Sequence, residues 1–263
     1  MTARFDPKAA AEAIAKAWRT GAKLGVLADS ALPGDAAEGS SAQAHLQLAL
    51  GDEVVGWKLA ATSVRGQRHI GVDGPLPGRL FARRVVGDGA EVSMDGNGML
   101  AAECEFVFKL RRDLAARDAP YTEAEVLDAV GALHPGLELP DSRFTDFASA
   151  GAPQLLADNA CTHWMVIGAA APDKWRSLNL AAHRTQLKRN GEVVTQGTGE
   201  DVLGSPLTAL TWLANQHASL GCGLQNGQFV TTGVTGDPSP CQAGDRLVAD
   251  LGDLGSVSVA LCR

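Results

Sequence analysis

Two glutamates two residues apart stand in Leu100-Ala-Ala-Glu103-Cys104-Glu105-Phe-Val-Phe-Lys109-Leu110, a stretch that reads as a β-strand. From Cys104 to Leu110 most residues are apolar or aromatic, with no Gly or Pro to interrupt them. Side chains alternate across a strand, so Glu103, Glu105, Val107 and Lys109 share one face. Cys104, Phe106, Phe108 and Leu110 take the other, core-directed face. At ~3.4 Å rise per residue the two carboxylates project side by side, about 7 Å apart at their Cα atoms. Like charges so placed repel each other unless something neutralises them. A hard divalent cation such as Mg²⁺ does so, taking a few carboxylate oxygens and keeping other positions for water or substrate. On spacing alone, a half-exposed strand with its polar face in water is the simpler account.

A lysine is the second candidate. Glu53-Val-Val-Gly-Trp-Lys58-Leu-Ala reads as a strand in which Lys58 shares its face with Val54, Gly56 and Ala60. Desolvation among small neighbours would lower the amine's pKa and suit it to proton transfer. The alternative is a lysine that guards a strand edge. His134 reads as a cap at a helix C-terminus rather than as a ligand. Leu137-Glu138-Leu139-Pro140-Asp141-Ser142-Arg143 gathers two acids and an arginine in a short extended segment. Neither G-x-S-x-G nor H-E-x-x-H occurs, no phosphate loop is present, and Gly197-Thr-Gly199 lacks the third glycine of a dinucleotide loop.

These groups need elements to hold them. Asp6-Pro7 predicts the cap and first turn of a helix carrying Ala10, Ile14 and Trp18. Residues 29–41 read as a turn-rich loop, 42–50 as a short helix, and 62–79 as loop with one helical turn. Thr122-x-x-Glu125 is a capping box opening a helix through Val126, Leu127, Val130 and Leu133, which His134-Pro135-Gly136 stops. Asn190-Gly191 is a type I′ hairpin turn, Ser205-Pro206 caps an amphipathic helix, and strands end the chain. The expectation is one domain over 1–263, mostly helical in 1–80 and strand-rich in 81–263.

The 263 residues are 45% hydrophobic and 20% charged, ordinary for a globular protein, and suffice for a sizeable core. A net charge of −7 argues against nucleic-acid or anionic-membrane partners, which want a basic patch. No run approaches the ~20 apolar residues of a membrane span, and Met1 to Pro7 hold no signal-like stretch. Five cysteines without a C-x-x-C read as reduced thiols of a cytoplasmic protein.

Taken in order, several fragments resemble the 2-keto-4-pentenoate hydratase family of the fumarylacetoacetate hydrolase superfamily. They are Val55-Gly-Trp-Lys58-Leu-Ala-Ala-Thr-Ser63, Glu103-Cys-Glu105, Leu137-Glu138-Leu-Pro-Asp141-Ser-Arg143 and Ala157-Asp158-Asn159-Ala160. Asn190-Gly191-Glu-Val-Val, Leu203-Gly-Ser-Pro-Leu, Trp212-Leu-Ala-Asn215, Thr232-Gly233 and Ala243-Gly-Asp-Arg246 continue the series. Each is weak alone; their shared order from residue 53 to the end reverses the balance on Glu103 and Glu105.

The resemblance implies an α+β fold, a curved strand-rich core with an N-terminal helical segment, assembled as pentamers or decamers. It implies Mg²⁺ or Mn²⁺ held by Glu103, Glu105 and Glu138, with Lys58 as the catalytic lysine and Asp158 and Thr232 touching substrate. Arg143 would be structural, paired with an acid. The implied activity is a hydratase adding water to a 2-hydroxydienoate or 2-oxo-enoate acid through a metal-bound enolate, as in aromatic catabolism. The alternatives are a 2-oxo acid decarboxylase of the 4-oxalocrotonate type, or a subunit that chiefly stabilises a related pathway enzyme. Three departures bear on that choice. Leu76 stands where many hydratases carry Asp, which resembles the decarboxylase branch. Cys161-Thr162 replaces a pair of serines, and Ser205 a common His.

Overall fold

The computed structural model describes residues 4–263; residues 1–3, part of the N-terminal reading above, lie outside them. Two helices come first, α1 (Pro7–Thr20) and α2 (Ala36–Leu50). Next are β1 (Val54–Ala60), α3 (Val64–Ile70), β2 (Leu76–Phe81), β3 (Val85–Gly87), β4 (Ala90–Ser93) and β5 (Ala101–Leu110). A helix α4 (Glu123–Ala129) runs directly into β6 (Val130–Leu139), and α5 (Gly151–Ala157) precedes β7 (Trp164–Ile167). The hairpin β8 (Arg184–Arg189) and β9 (Glu192–Thr198) leads to α6 (Pro206–Ser219). Strands β10 (Phe229–Val234), β11 (Ser239–Pro240), β12 (Arg246–Asp250) and β13 (Ser256–Cys262) close the chain.

The strands form two sheets. The larger runs β2-β1-β10-β5-β6-β7-β3, with β11 added on β5, and the smaller runs β4-β13-β12-β8-β9. Between them lies the main core, where Phe106, Phe108 and Leu137 meet Leu187, Leu247 and Val257. Trp57 and Leu59 of β1 join the same core against Leu210 and Leu213 of α6. The opposite face of the larger sheet carries the polar side chains singled out above.

The helical segment ends sooner than residue 80, because β1 and β2 are already members of the larger sheet. Helix α1 starts as expected, with the Asp6 carboxylate accepting from the Lys8 N–H at 2.9 Å. Helix α2 begins six residues earlier than its sequence suggests, capped by Asp35. Gly39 and the serines after it are poor helix formers, and tertiary packing overrides that preference. A Cβ on Gly39 would collide with the Pro153 carbonyl of α5, so the weak residue is what permits the close approach.

The largest revision concerns α4. Its capping box is intact, but the helix stops at Ala129. Val130, Leu133 and the His134-Pro135-Gly136 run belong to β6, an interior strand. Proline is normally excluded there because it cannot donate to the ladder. Pro135 is tolerated because its carbonyl accepts from Gly168, one residue past the end of β7. Its missing N–H therefore falls on a side where the neighbouring strand has already ended.

Candidate metal centre and active site

Strands β5 and β6 pair antiparallel with Glu103 directly opposite Glu138 and Glu105 opposite Gly136. Residues so paired share a face, so three carboxylates converge. One oxygen from each lies within 4.8 Å of the others. Glu105 and Glu138 are fully buried and Glu103 half-buried. Glu105 Oε2 accepts from the Gly233 N–H at 2.9 Å. Glu105 Oε1 and Glu138 Oε2 have no hydrogen-bond donor among the described residues, and Glu138 Oε1 meets only the Lys58 ammonium.

Buried carboxylate oxygens left unpaired are expensive. The donor set is three hard oxygens with no imidazole or thiolate, which suits Mg²⁺, Ca²⁺ or Mn²⁺ rather than zinc or copper. Burial and the neighbouring Glu138 push Glu103 up to about 7 despite the attraction of Lys58. Glu105 is raised well above the usual carboxylate range, by burial and then by Glu138 and Glu103. The geometry and donor chemistry of the cluster suit a divalent cation.

The sign of the pH effect follows. In the unfolded chain Glu103 loses its proton near 4.5, whereas in the folded metal-free protein it holds the proton to about 7. Its contribution to stability is complete below about 4.5 and is lost as pH rises through about 7. Chelator-treated protein should therefore melt progressively lower than metal-loaded protein between pH 5 and pH 8 (about the span of that titration). Melting scans of the two forms in parallel check this; a constant gap would contradict it.

Lys58 is 2% exposed and lies on the same face. Its Nζ stands 3.1 Å from Glu138 Oε1 and donates to the Ala160 carbonyl at 3.1 Å. Burial alone would lower its pKa, as the sequence suggests. The carboxylates of Glu138, Glu103 and Glu105 outweigh burial, and the pKa is raised instead. Lys58 is a held ammonium, not a free amine.

The carbonyl that fixes Lys58 belongs to a strained turn. Asn159, Ala160 and Cys161 all have positive φ, at 58°, 51° and 59°, a region that costs non-glycine residues about 1–2 kcal/mol each. The turn is held by Asn159, whose side chain bonds the Arg79 N–H at 2.7 Å and the Arg79 carbonyl at 2.9 Å. Thr162 Oγ1 donates to the Asn159 carbonyl at 2.7 Å. Gly78, opposite Lys58 in the β1–β2 ladder, leaves this turn its room, since a Cβ there would overlap Thr162 Oγ1 and the Asn159 carbonyl. Burial, then Asp158, pushes the Cys161 thiol up to about 12, so it sits neutral beside Lys58.

Two residues expected at the substrate are engaged elsewhere. Asp158 is fully buried, and its oxygens receive the Arg143 side chain and backbone N–H and the Ser142 hydroxyl. Arg143 also donates to the Asp158 and Thr162 carbonyls. Arg143 is thus structural, as read from the sequence, and Asp158 is its partner. Thr232 turns to the other side of β10, where its hydroxyl donates to the Phe106 carbonyl at 3.2 Å. Thr231 is the threonine on the carboxylate face, opposite Val107, with a buried hydroxyl that has no partner. Its position depends on β10 pairing with β5, a register that no local motif announces. Ser205 caps α6, its hydroxyl accepting from the Leu207 N–H at 3.3 Å.

Gly233 has φ 101°, and a Cβ there would overlap Thr62 Oγ1. Gly233→Ala should cost about 2–4 kcal/mol of stability and displace the N–H that holds Glu105. Thermal melts and metal titrations read both effects; adding Thr62→Ala should recover part of the stability and none of the φ penalty. Thr62 and Gly236 also line a polar cavity of about 640 Å³ with Gln196, Glu200 and Asp201. Thr62 thus lines that cavity and also packs against Gly233, whose N–H holds Glu105.

The chain resembles known proteins over most of its length. Residues 78–261 match the family described as fumarylacetoacetate (FAA) hydrolase C-terminal. The chain is 36% identical over 211 residues to 2-keto-4-pentenoate hydratase 1 of Dechloromonas aromatica, covering 80% of this chain and 79% of that protein. It is 33% identical over 262 residues to 2-keto-4-pentenoate hydratase 2 of the same organism, 98% of each. Among solved structures, 4-oxalocrotonate decarboxylase from Pseudomonas putida G7, complexed with magnesium and adipate, superposes with a TM-score of 0.87. Identity there is 27%, over 97% of both chains. The chain belongs to the 2-keto-4-pentenoate hydratase and 2-oxo-acid decarboxylase family of the fumarylacetoacetate hydrolase superfamily.

Proposed function

We propose that this protein is a lyase acting on a small 2-oxo acid, and first a hydratase that adds water to a 2-hydroxydienoate or its 2-oxo-enoate tautomer. One observation carries the reading: three carboxylates, two of them fully buried, converge within 4.8 Å beside a buried ammonium. Glu103, Glu105 and Glu138 would hold Mg²⁺ or Mn²⁺. When bound, the ion draws electrons from the substrate's 2-oxo group and so favours proton movement at the adjoining carbons.

The chain's own residues do the rest. Lys58, charged and fixed by Ala160, anchors the substrate carboxylate or delivers a proton to the dienoate. The unpaired Thr231 hydroxyl, rather than that of Thr232, orients substrate or water. The protein would work as a cytoplasmic homo-oligomer, with a related pathway enzyme as its partner. Its free cysteines agree with a reducing compartment, and no helix among the described residues is long and apolar enough to cross a membrane.

A second reading, decarboxylation, is favoured by Leu76. It is 7% exposed in an apolar cluster with Leu155 and Cys161, so no carboxylate stands there to handle a water proton. The decarboxylase quoted above also spans nearly the whole chain. Purified protein with Mg²⁺ should be assayed against a panel of 2-hydroxydienoic and 2-oxo acids, following water addition and CO₂ release separately. Metal-dependent turnover by either route is the expected result. Tight metal binding with no turnover of any member would favour a structural subunit.

A further inference from the structure

Every backbone carbonyl from Asp158 to Thr162 is received by a donor. Arg143 takes those of Asp158 and Thr162. The Asp141 N–H takes that of Cys161 at 2.9 Å. The Thr162 hydroxyl and N–H take that of Asn159, at 2.7 Å and 3.0 Å. Ala160 differs from the rest, because its carbonyl is received by a side chain of the carboxylate face, Lys58 Nζ at 3.1 Å. Among the described residues it is the one hydrogen-bond acceptor of that ammonium. Glu138 Oε1 stands equally close as an ion-pair partner, without the geometry of a hydrogen bond.

Three consecutive non-glycine residues at positive φ persist only where their surroundings hold them there. Asn159, fully buried, supplies the hold. Strand β2 is the edge of the larger sheet, so the Arg79 N–H and carbonyl have no further strand to pair with. The Asn159 amide takes that strand's place, accepting from the one and donating to the other. It docks the turn one residue from Gly78, which lies opposite Lys58 in the ladder and whose bare Cα leaves the turn its room. The lysine stem, Gly78 and the turn are therefore one packed unit.

We propose that Asn159 is a positioning residue for Lys58: its amide clamps the turn to β2, and the Ala160 carbonyl of that turn sets the direction in which the ammonium presents its remaining N–H groups. An ammonium is a point charge on a flexible stem with three rotatable donors. Attraction to Glu138 holds it near but does not orient it, whereas a hydrogen bond to a fixed carbonyl does. A proton donor or carboxylate anchor works only when aimed, and small misplacements are costly. This role rests on the reading above, in which Lys58 acts on the substrate.

The test follows the Lys58 ¹⁵Nζ signal in Mg²⁺-loaded protein, assigned by its loss in Lys58→Met, beside turnover and Mg²⁺ titration. Asn159→Gly keeps a residue at ease with positive φ and removes both clamp bonds. It is expected to bind Mg²⁺ within about threefold of the native protein, to shift or broaden the ammonium signal, and to lose about 10²-fold in kcat/KM. A fall in kcat assigns proton delivery to Lys58 and a rise in KM assigns the carboxylate anchor; either supports the role. Thr162→Val, which removes one bond to the Asn159 carbonyl, should move the same readouts less, and Thr162→Ser should restore them. That pair decides the matter if Asn159→Gly does not fold. An unmoved ammonium signal in the folded variants overturns the role, as does a moved signal with native kcat/KM. If the native protein turns over no 2-oxo acid, the reaction proposed above fails, and the ammonium signal alone decides whether Asn159 holds Lys58.

Discussion

Glu105→Gln is expected to lower metal-dependent turnover about 10³-fold or more while the metal-free protein melts higher. Both effects come from one change. The amide keeps the shape of the side chain and still offers an oxygen to the Gly233 N–H. It removes one of three ionisable carboxyl groups that crowd within 4.8 Å, two of them fully buried. Without an ion, Glu105 must either repel Glu138 and Glu103 or take up a proton, so its replacement should add about 1–3 kcal/mol to the stability of the chelated protein. With an ion, the same carboxylate is a ligand, and losing it weakens both binding and turnover. Calorimetric titration with Mg²⁺ and Mn²⁺, alongside melts of the chelated protein, reads the two halves. Unchanged metal affinity would remove Glu105 from the site.

Asp158→Ala should unfold far more easily than the native chain, by about 3–5 kcal/mol, with its loss of activity following its loss of fold. Asp158 neutralises Arg143 in a fully buried setting, and Arg143 in turn ties the Asp158 and Thr162 carbonyls together. Removing the carboxylate strands a guanidinium with no water to take its charge. Asp158→Asn, which keeps an acceptor but not the charge, should fall between. If Asp158 instead touched substrate, the alanine variant would melt normally and show a raised KM. Thermal melts and steady-state kinetics on the same preparations distinguish the two.

What was legible in the chain follows the range of the interactions. The Glu103-x-Glu105 spacing names a face because strand alternation is local, and the capping signals at Asp6, Thr122 and Ser205 are likewise complete within a few residues. The direction of the Lys58 shift could not be read from its neighbours, because the carboxylates that reverse it arrive from β5 and β6. The choice between Thr231 and Thr232 turns on a single step of register between β10 and β5. The end of α4 was hidden for a similar reason. Val130 and Leu133 fit a helical stripe as well as a strand, and only the pairing with β5 decides between them. Glu138 was placed by family resemblance rather than by physics, since nothing near it in sequence shows that it faces Glu103.

The abrupt junction at Ala129, where helix becomes interior strand with no loop between, makes the protein intolerant of length change there. Deleting one residue between 130 and 137 would move β6 by one step, turn Glu138 into the apolar core and bring an adjacent leucine to face Glu103 and Glu105. Codon loss in this short window should therefore inactivate the protein outright. A length change at the Asn190-Gly191 turn, on the smaller sheet, would leave the β5–β6 register untouched.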